Sequence, residues 1–293
     1  MKKESMLSFP RIFLKKIAHM FHDRVQKALY GKPLNGYEIE MGTRIPPYSS
    51  PVDDFVNCAF KYEETQGHFH PAYHEYRFKR LKKLLTIFPP EYFPGKKVLE
   101  LGSGIGYIGA FLADLGADVL ALEGRVSNIN FAKLRYRNLP TFNPVLFDLD
   151  NDFTHFGRFD LIVNFGYLET VSSIEDTLNC CTQMTDNILV ETLVCDSEDP
   201  DKVIHEHMGN VGIDHPLNVQ YSLRPSPLYI EKYFKKHDWV VSRHFSADLN
   251  TSIHKYDWEH RNLDELTFGK KGPLLHRFWY FFKNTDNGSM DKQ

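Results

Sequence analysis

Two carboxylates that each close an apolar run, with glycines between them, are the residues of this chain best suited to chemistry. Glu100 closes the first run, a series of glycines at two-residue spacing follows it, and Glu123 closes the second run. The glycines are Gly102, Gly104 and Gly106. Glycine lets the backbone take positive φ angles and come close to a ligand. An acid at the tip of the second strand can hold the vicinal hydroxyls of a ribose. The spacing therefore predicts a strand–turn–helix–strand unit that binds a nucleoside-containing cofactor.

Two classes of cofactor fit this unit. Gly104, Gly106 and Gly109 have the G-x-G-x-x-G spacing of dinucleotide-binding folds, in which a helix N-terminus receives a pyrophosphate. The longer run, in which Glu100 precedes Gly102, Gly104 and Gly106, resembles the first motif of class I S-adenosylmethionine (SAM) methyltransferases. The resemblance favours SAM over a nicotinamide or flavin dinucleotide. Strand-to-helix packing alone explains some of these glycines, but not the whole cluster beside two acids.

The resemblance implies roles for further residues. In that family the leading acid, here Glu100, helps to hold the amino-acid end of SAM, and Glu123 takes the ribose hydroxyls. Asp148 stands where the family places an acid or amide on the adenine amino group. In this family a basic residue before the first motif often meets the cofactor carboxylate, and Arg77 and Tyr76 are the candidates here. The cofactor-binding residues implied in this way are Glu100, Gly102, Ser103, Gly104, Gly106, Tyr107, Glu123, Gly124, Asp148, Leu149, Asn164 and Arg77.

Apolar runs and helical patterns alternate from residue 97 onwards. A helix is predicted over 71–87, ended by Pro89 and Pro90. Strands are predicted near 97–101, 118–122, 144–148, 159–164, 187–193, 238–245 and 277–283. This alternation predicts an α/β fold with a doubly wound, mostly parallel seven-stranded sheet and helices on both faces. The last two strands resemble the closing antiparallel hairpin of the methyltransferase sheet.

The chain is predicted to divide into three parts. Residues 1–69 form a helical N-terminal extension, 70–283 the methyltransferase domain and 284–293 a polar tail. Residues 1–32 are rich in Lys and Arg, and their apolar residues recur at helical spacing, which is typical of a basic amphipathic helix. This helix packs on the catalytic domain in one interpretation. In a second it contacts a membrane surface or a partner protein, and in a third the segment is disordered.

Overall composition limits the classes of partner. The 293 residues carry a net charge of −3, and 42% of them are hydrophobic. Nucleic acid is not expected as the main partner, because proteins that bind it are usually strongly basic. No apolar stretch approaches the roughly 18–20 residues of a membrane span. The four cysteines show no metal-ligand spacing and are expected to be reduced. A cytoplasmic location is predicted, with peripheral attachment to a membrane as the alternative.

Four residues are candidates for the chemistry at the acceptor. Methyl transfer is an in-line displacement, so the protein must align the acceptor and supply a base if the acceptor is a hydroxyl. Glu191, at the end of the fifth strand and facing the presumed cleft, is the first candidate, and Asp196 follows it closely. Glu169 stands where many family members carry a histidine; pairing with the cofactor or capping the next helix is its alternative role. His207 is the fourth candidate.

The segment 196–225 is predicted to form a lid over the substrate. Ser226 is placed to cap the helix that follows, with Pro227 in its first turn. Some sugar and catechol methyltransferases bind a divalent cation through acids in this region. No metal site is predicted here, because His205 and His207 alternate along a predicted helix and would point apart.

The acids and histidines of this segment suit a polar, hydroxylated acceptor. The sequence therefore predicts an O-methyltransferase that acts on a sugar, a glycan or another small molecule. A protein, RNA or amine methyltransferase is the enzymatic alternative, and a non-catalytic SAM-binding subunit is the other. The Asn-Pro-Pro-Tyr signature of many amino-group methyltransferases is replaced by Asn164-Phe165-Gly166-Tyr167 after the fourth strand.

Overall fold

An eight-stranded sheet forms the framework of the domain in the computed structural model. The structure describes residues 72–207, 221–244, 249–251, 254–256 and 274–284. The predicted extension over 1–69 and the residues beyond 284 lie outside the described residues.

Helices and strands alternate along the described chain, as the sequence predicts. The helices are α1 (Ala72–Ile87), α2 (Tyr107–Asp114), α3 (Val126–Arg135), α4 (Ile174–Met184) and α5 (Pro227–Lys236). The strands are β1 (Lys97–Leu101), β2 (Asp118–Glu123), β3 (Phe142–Leu146), β4 (Leu161–Phe165), β5 (Asn187–Leu193), β6 (Val203–His207), β7 (Tyr221–Pro225), β8 (Trp239–His244), β9 (His254–Lys255) and β10 (Leu274–Lys283). Short 3-10 turns lie at Pro90–Tyr92, Thr154–Phe156 and Leu168–Thr170. None of the described helices is both long and apolar enough to span a bilayer.

The sheet has the strand order β3-β2-β1-β4-β5-β10-β8, and the short β9 pairs with β10 off this path. Strands β1 to β5 run parallel to one another. Strand β10 is antiparallel to both β5 and β8. The predicted mostly parallel seven-stranded sheet with a closing antiparallel hairpin is therefore confirmed. The chain moves outward from β1 to β3 and returns on the other side of β1 with β4, so the order reverses there.

Strand β3 begins at Phe142, two residues before the predicted start. It contains Pro144, which lacks a backbone donor. A proline is tolerated in β3 because this strand lies at the edge of the sheet and has only one neighbour. Because β3 ends at Leu146, Asp148 lies beyond the end of the strand and not at its last position.

The predicted lid contains a two-stranded antiparallel sheet, β6 with β7, that the sequence analysis did not anticipate. The hydroxyl of Ser222 donates a hydrogen bond to the carbonyl of Glu169 at 3.0 Å, which ties β7 to the turn after β4. The helix expected around His205 and His207 is instead strand β6, so the helix-based argument about these histidines was wrong. Residues 208–220, between the two strands, lie outside the described residues.

The ends of α1 and α5 follow the predicted signals. Helix α1 ends at Ile87, just before the two prolines. Ser226 caps α5 as predicted, because its hydroxyl accepts a hydrogen bond from the backbone N–H of Tyr229 at 3.0 Å. Pro227 occupies the first turn, where its missing N–H has no cost.

The central strands pack different side chains on each face of the sheet. Val98 and Leu189 pack on one face with residues of α1 and α2. Leu99 and Ile188 pack on the other face with residues of α4 and α5. Glu100, Glu123 and Glu191 lie at or near the carboxyl ends of β1, β2 and β5. Because successive side chains of a strand alternate between faces, these three acids lie on the face covered by α1 and α2.

Candidate active site

A cavity of about 250 Å³ lies at the carboxyl ends of β1, β2 and β4. In open α/β sheets ligands bind at this edge, where the strand order reverses. The wall is formed by α1, the glycine turn after β1, the end of β2, the segment after β3 and the turn after β4. The lining residues are Tyr76, Arg77, Arg80, Glu100, Gly102, Ser103, Gly104, Ile105, Tyr107, Ile108, Glu123, Gly124, Arg125, Asn128, Phe147, Asp148, Leu149, Phe165, Gly166, Tyr167, Glu169 and Thr170.

The turn between β1 and α2 brings bare backbone to the cavity. Gly102 has a φ of 65°, and Gly106 a φ of 83°. A Cβ at Gly102 would lie 2.7 Å from the ring of Tyr167, and one at Gly106 would lie 2.6 Å from the ring of Phe142. At these two positions only glycine fits both the positive φ angle and the available space. The backbone of the turn can therefore approach a ligand without an intervening side chain.

Glu123 is held at the tip of β2 by two backbone donors. Its Oε2 accepts from the N–H of Gly104 at 2.9 Å, and its Oε1 accepts from the N–H of Arg125 at 2.8 Å. An ionised carboxylate has about four acceptor sites, so each oxygen can accept one further hydrogen bond. The side chain lines the cavity, and its geometry is suited to the two hydroxyls of a ribose.

Glu100 is a buried acid behind the glycine turn. Its side chain is 5% exposed, and its Oε2 accepts from the N–H of Gly109 at 2.9 Å. Burial raises the pKa of Glu100 to about 8, although the Gly109 donor and the Arg80 charge oppose this shift. A cationic group bound in the cavity would favour the ionised form of Glu100. The ammonium group of an amino acid has the required charge.

The raised pKa of Glu100 predicts a pH-dependent stability. Between pH 4.5 and 8 the carboxyl is protonated in the folded protein and ionised in the unfolded chain. The free energy of unfolding should therefore fall as the pH rises through this window, by at most about 1.4 kcal/mol per pH unit, and level off above it. Denaturant unfolding of the ligand-free protein measures this slope. Glu100→Gln should flatten it, whereas the exposed Glu91→Gln should leave it unchanged; equal slopes in all three proteins would contradict the assignment.

Most other residues expected to bind the cofactor also line the cavity. They are Gly102, Ser103, Gly104, Tyr107, Gly124, Asp148, Leu149 and Arg77. The hydroxyl of Ser103 is buried without a hydrogen-bond partner in the described structure and is thus available to a ligand. Gly106 shapes the turn as the residue that precedes α2.

Asn164 differs from these residues, because it does not contribute to the cavity wall. Its side chain is fully buried, and neither polar atom has a hydrogen-bond partner in the described structure. In the register of β4, Asn164 pairs with Leu101, while Glu100 pairs with Val163. The side chain of Asn164 therefore lies on the opposite face of the sheet from Glu100.

Among the three catalytic candidates whose side chains the structure describes, only Glu169 lines the described cavity. Its Oε2 accepts from the hydroxyl of Thr192 at 2.6 Å and from the N–H of Leu193 at 3.3 Å. Glu169 does not cap the next helix, which was one of its expected alternative roles, because Ser173 caps α4 by accepting from the N–H of Asp176. Glu169 thus presents a fixed carboxylate to the cavity.

Glu191 does not face the cavity as the sequence analysis expected, because its side chain has no exposed surface. Its carboxylate accepts four hydrogen bonds. The donors are the Tyr76 hydroxyl (2.9 Å), Arg80 Nη1 (2.9 Å), the Tyr256 hydroxyl (2.9 Å) and His276 Nδ1 (2.5 Å). Burial opposes ionisation, but the charges of His276 and Arg80 hold the pKa of Glu191 at about 2. We refer to these five residues as the Glu191 cluster.

Of the other two catalytic candidates, Asp196 does not contribute to the described cavity wall. Asp196 is 4% exposed and follows β5. His207 ends β6, and its side chain is outside the described part of the structure. Among the described residues, no group of three or more side chains could hold a metal ion.

The sequence analysis missed Arg80, which lines the cavity next to Tyr76. In the sequence, Arg80 is one of several basic residues on a helix with no feature that separates it from a solvated charge. Its partner Glu191 lies 111 positions further along the chain. A pairing over that distance leaves no local signal.

Comparison with known proteins agrees with this geometry. A family model described as a methyltransferase domain matches residues 73–245, more than half of the chain. The chain belongs to this methyltransferase family. Its methyl donor is SAM, and the residues present fit that cofactor, since the backbone turn, the fixed Glu123 carboxylate and the buried Glu100 suit its nucleoside and amino-acid ends. No curated protein sequence matches the chain.

Solved structures with a similar fold are found at low sequence identity. The N-terminal domain of EvdMO1 in the presence of SAH and D-fucose is 18% identical, with a TM-score of 0.51 over 70% of this chain and 82% of that chain. The same domain with SAH bound is 19% identical, with a TM-score of 0.50 over 70% and 79%. The DhpI–SAH complex is 16% identical, with a TM-score of 0.49 over 81% and 97%. At these identities the likeness concerns the fold.

Proposed function

We propose that this protein transfers the methyl group of SAM to a hydroxyl oxygen of a small polar acceptor such as a sugar. The observation that carries the proposal is the Glu169 carboxylate, which is fixed on the cavity wall by Thr192 and Leu193. Both anchors engage Oε2, so Oε1 can accept the proton of an acceptor. SAM supplies an electrophilic methyl group on a sulfonium when it is bound.

The need for a base separates hydroxyl acceptors from amines. A hydroxyl must lose its proton as the new bond to the methyl carbon forms, and a positioned carboxylate can accept that proton. A neutral amine is nucleophilic enough to attack without losing a proton first, and the ammonium product can release its proton to solvent after the transfer. Among the described residues Glu169 forms no ion pair that would compete for its charge. A similar structure was determined in the presence of D-fucose, which makes monosaccharides a reasonable first class of acceptor.

Substitution of Glu169 tests this proposal. The wild-type protein and Glu169→Gln are assayed with SAM and a panel of monosaccharides that begins with D-fucose. Formation of SAH gives the rate, and NMR identifies the methylated atom. Loss of the base should lower kcat by about 10²-fold, because glutamine keeps the shape but cannot take up the proton.

Two controls define the result. SAM affinity of Glu169→Gln should match that of the wild type, and Glu175→Gln, an exposed acid on α4, should leave kcat unchanged. The proposal is wrong if the wild-type protein methylates amines and no hydroxyl compound. It is also wrong if Glu169→Gln turns over a hydroxyl acceptor at the wild-type rate.

A further inference from the structure

We propose that Arg80, held in place by Glu191, binds a second oxygen of the acceptor next to the hydroxyl that is methylated. Arg80 would then be a specificity-determining residue, and Glu191 a positioning residue that acts through it. The acceptor class that follows is an uncharged compound with neighbouring oxygens, such as a polyol or a saccharide. This inference rests on the proposed function and specifies its substrate.

Arg77 and Arg80 lie at different parts of the cavity wall. Helix α1 places Arg77 and Arg80 on the cavity wall, almost one turn apart. The guanidinium of Arg77 lies 5.2 Å from the ring centroid of Tyr107, directly after the glycine turn. That of Arg80 lies 5.6 Å from the ring centroid of Phe165, at the end of β4, and contacts Glu191 on β5. Arg80 thus lies near the ends of β4 and β5, whereas Arg77 lies near the start of α2.

Arg80 retains unused hydrogen-bonding capacity. A guanidinium has five N–H donors, and the Glu191 carboxylate accepts from Nη1 alone. The Nε of Arg80 is buried and has no partner, although buried polar groups are normally hydrogen-bonded. The side chain is 5% exposed, and it lines the cavity. A ligand oxygen in the cavity can therefore accept from Nη2, which has no described partner and, unlike Nε, is not fully buried.

Local charges favour an uncharged ligand oxygen over an anion. The Glu191 carboxylate neutralises Arg80 within a buried ion pair of 2.9 Å. Glu169 adds a negative charge nearby. Burial raises the pKa of Tyr76, and the charges of Glu191 and Glu169 contribute to that rise. Glu169, on the cavity wall, would repel an anionic acceptor but not an uncharged oxygen.

The backbone at the end of β4 fixes Arg80 and Tyr76. Gly166 has a φ of 67°, and a Cβ there would lie 3.2 Å from Nη1 of Arg80 and 3.3 Å from the hydroxyl of Tyr76. The guanidinium also lies 3.7 Å from the ring centroid of Tyr76. Arg80 is therefore held before a ligand arrives, which reduces the entropy that binding must overcome.

Kinetics with paired acceptors test this inference. We compare a monosaccharide that the wild-type protein methylates with its deoxy analogue, which lacks the neighbouring hydroxyl. Arg80→Lys keeps the charge beside Glu191 but loses the planar fork of donors. The KM of this variant for the parent sugar should rise about 10- to 100-fold. The wild type should have a higher KM for the deoxy analogue than for the parent sugar, and in the variant this difference should nearly disappear. The SAM affinity of the variant should change by less than about twofold. Glu191→Gln should change KM in the same direction, because it releases Arg80.

Arg77→Lys is the matched control on the same helix. It should weaken SAM binding and keep the discrimination against the deoxy analogue. If Arg80→Lys weakens SAM binding and discriminates as the wild type does, Arg80 belongs to the cofactor site and this inference is overturned. If the wild-type protein methylates no hydroxyl compound at all, the proposed function fails, and the inference fails with it.

Discussion

Glu123→Ala is expected to weaken SAM binding by on the order of 10³-fold. The carboxylate is fixed at the tip of β2 by the N–H groups of Gly104 and Arg125, and its remaining acceptor sites suit two ribose hydroxyls. Each hydrogen bond to a charged group contributes about 1.5–3 kcal/mol, and about 1.4 kcal/mol corresponds to a tenfold change in affinity. Calorimetric titration with SAM measures the loss.

Two further variants separate ligand contacts from damage to the turn. Glu123→Gln keeps the size of the side chain but can present only one acceptor oxygen, so its affinity should fall between those of the wild type and Glu123→Ala. Asp118→Ala removes an exposed acid at the opposite end of the same strand and should leave SAM binding unchanged. Wild-type affinity in Glu123→Ala would show that the cofactor does not bind through this carboxylate.

Glu191→Ala is expected to lower the free energy of unfolding by about 3–5 kcal/mol. The substitution leaves the buried Arg80 guanidinium without its counter-charge and removes the acceptor of three further donors in the Glu191 cluster. A natural domain has a total stability of only about 5–15 kcal/mol, so the effect should be visible in denaturant or thermal unfolding.

A more exposed ion pair provides the comparison for this effect. Asp201 pairs with Lys232, and their side chains are 72% and 55% exposed, so Asp201→Ala should cost at most about 1 kcal/mol. The double variant Arg80→Met, Glu191→Leu should recover part of the stability lost in Glu191→Ala, since it leaves no buried guanidinium without a counter-charge. Equal stability losses in Glu191→Ala and Asp201→Ala would contradict the role given to burial.

The cofactor end of the site could be predicted from sequence because its residues are local. Glu100, the glycine turn and Glu123 lie within one strand–turn–helix–strand unit, and parallel pairing of β1 with β2 is enough to bring them together. The glycine spacing and the acids at the strand ends can be recognised without knowledge of the remaining chain.

The positions of two other residues, Asn164 and Glu191, could not be predicted correctly from the sequence. Strand β4 is buried at every position, so its apolar run shows no alternation that would reveal which face carries Asn164. The Glu191 cluster joins residues 65 to 115 positions away from Glu191. Glu191 at a strand end therefore looked like a residue of the cleft, although its partners enclose it completely.

Calorimetric titration of the wild-type protein with SAM, SAH and NAD tests the central claim most directly. The structure of the site predicts saturable binding of SAM and SAH at one site, with no binding of NAD. Absence of SAM and SAH binding, particularly together with binding of NAD, would contradict the assignment of this cavity to a methyltransferase.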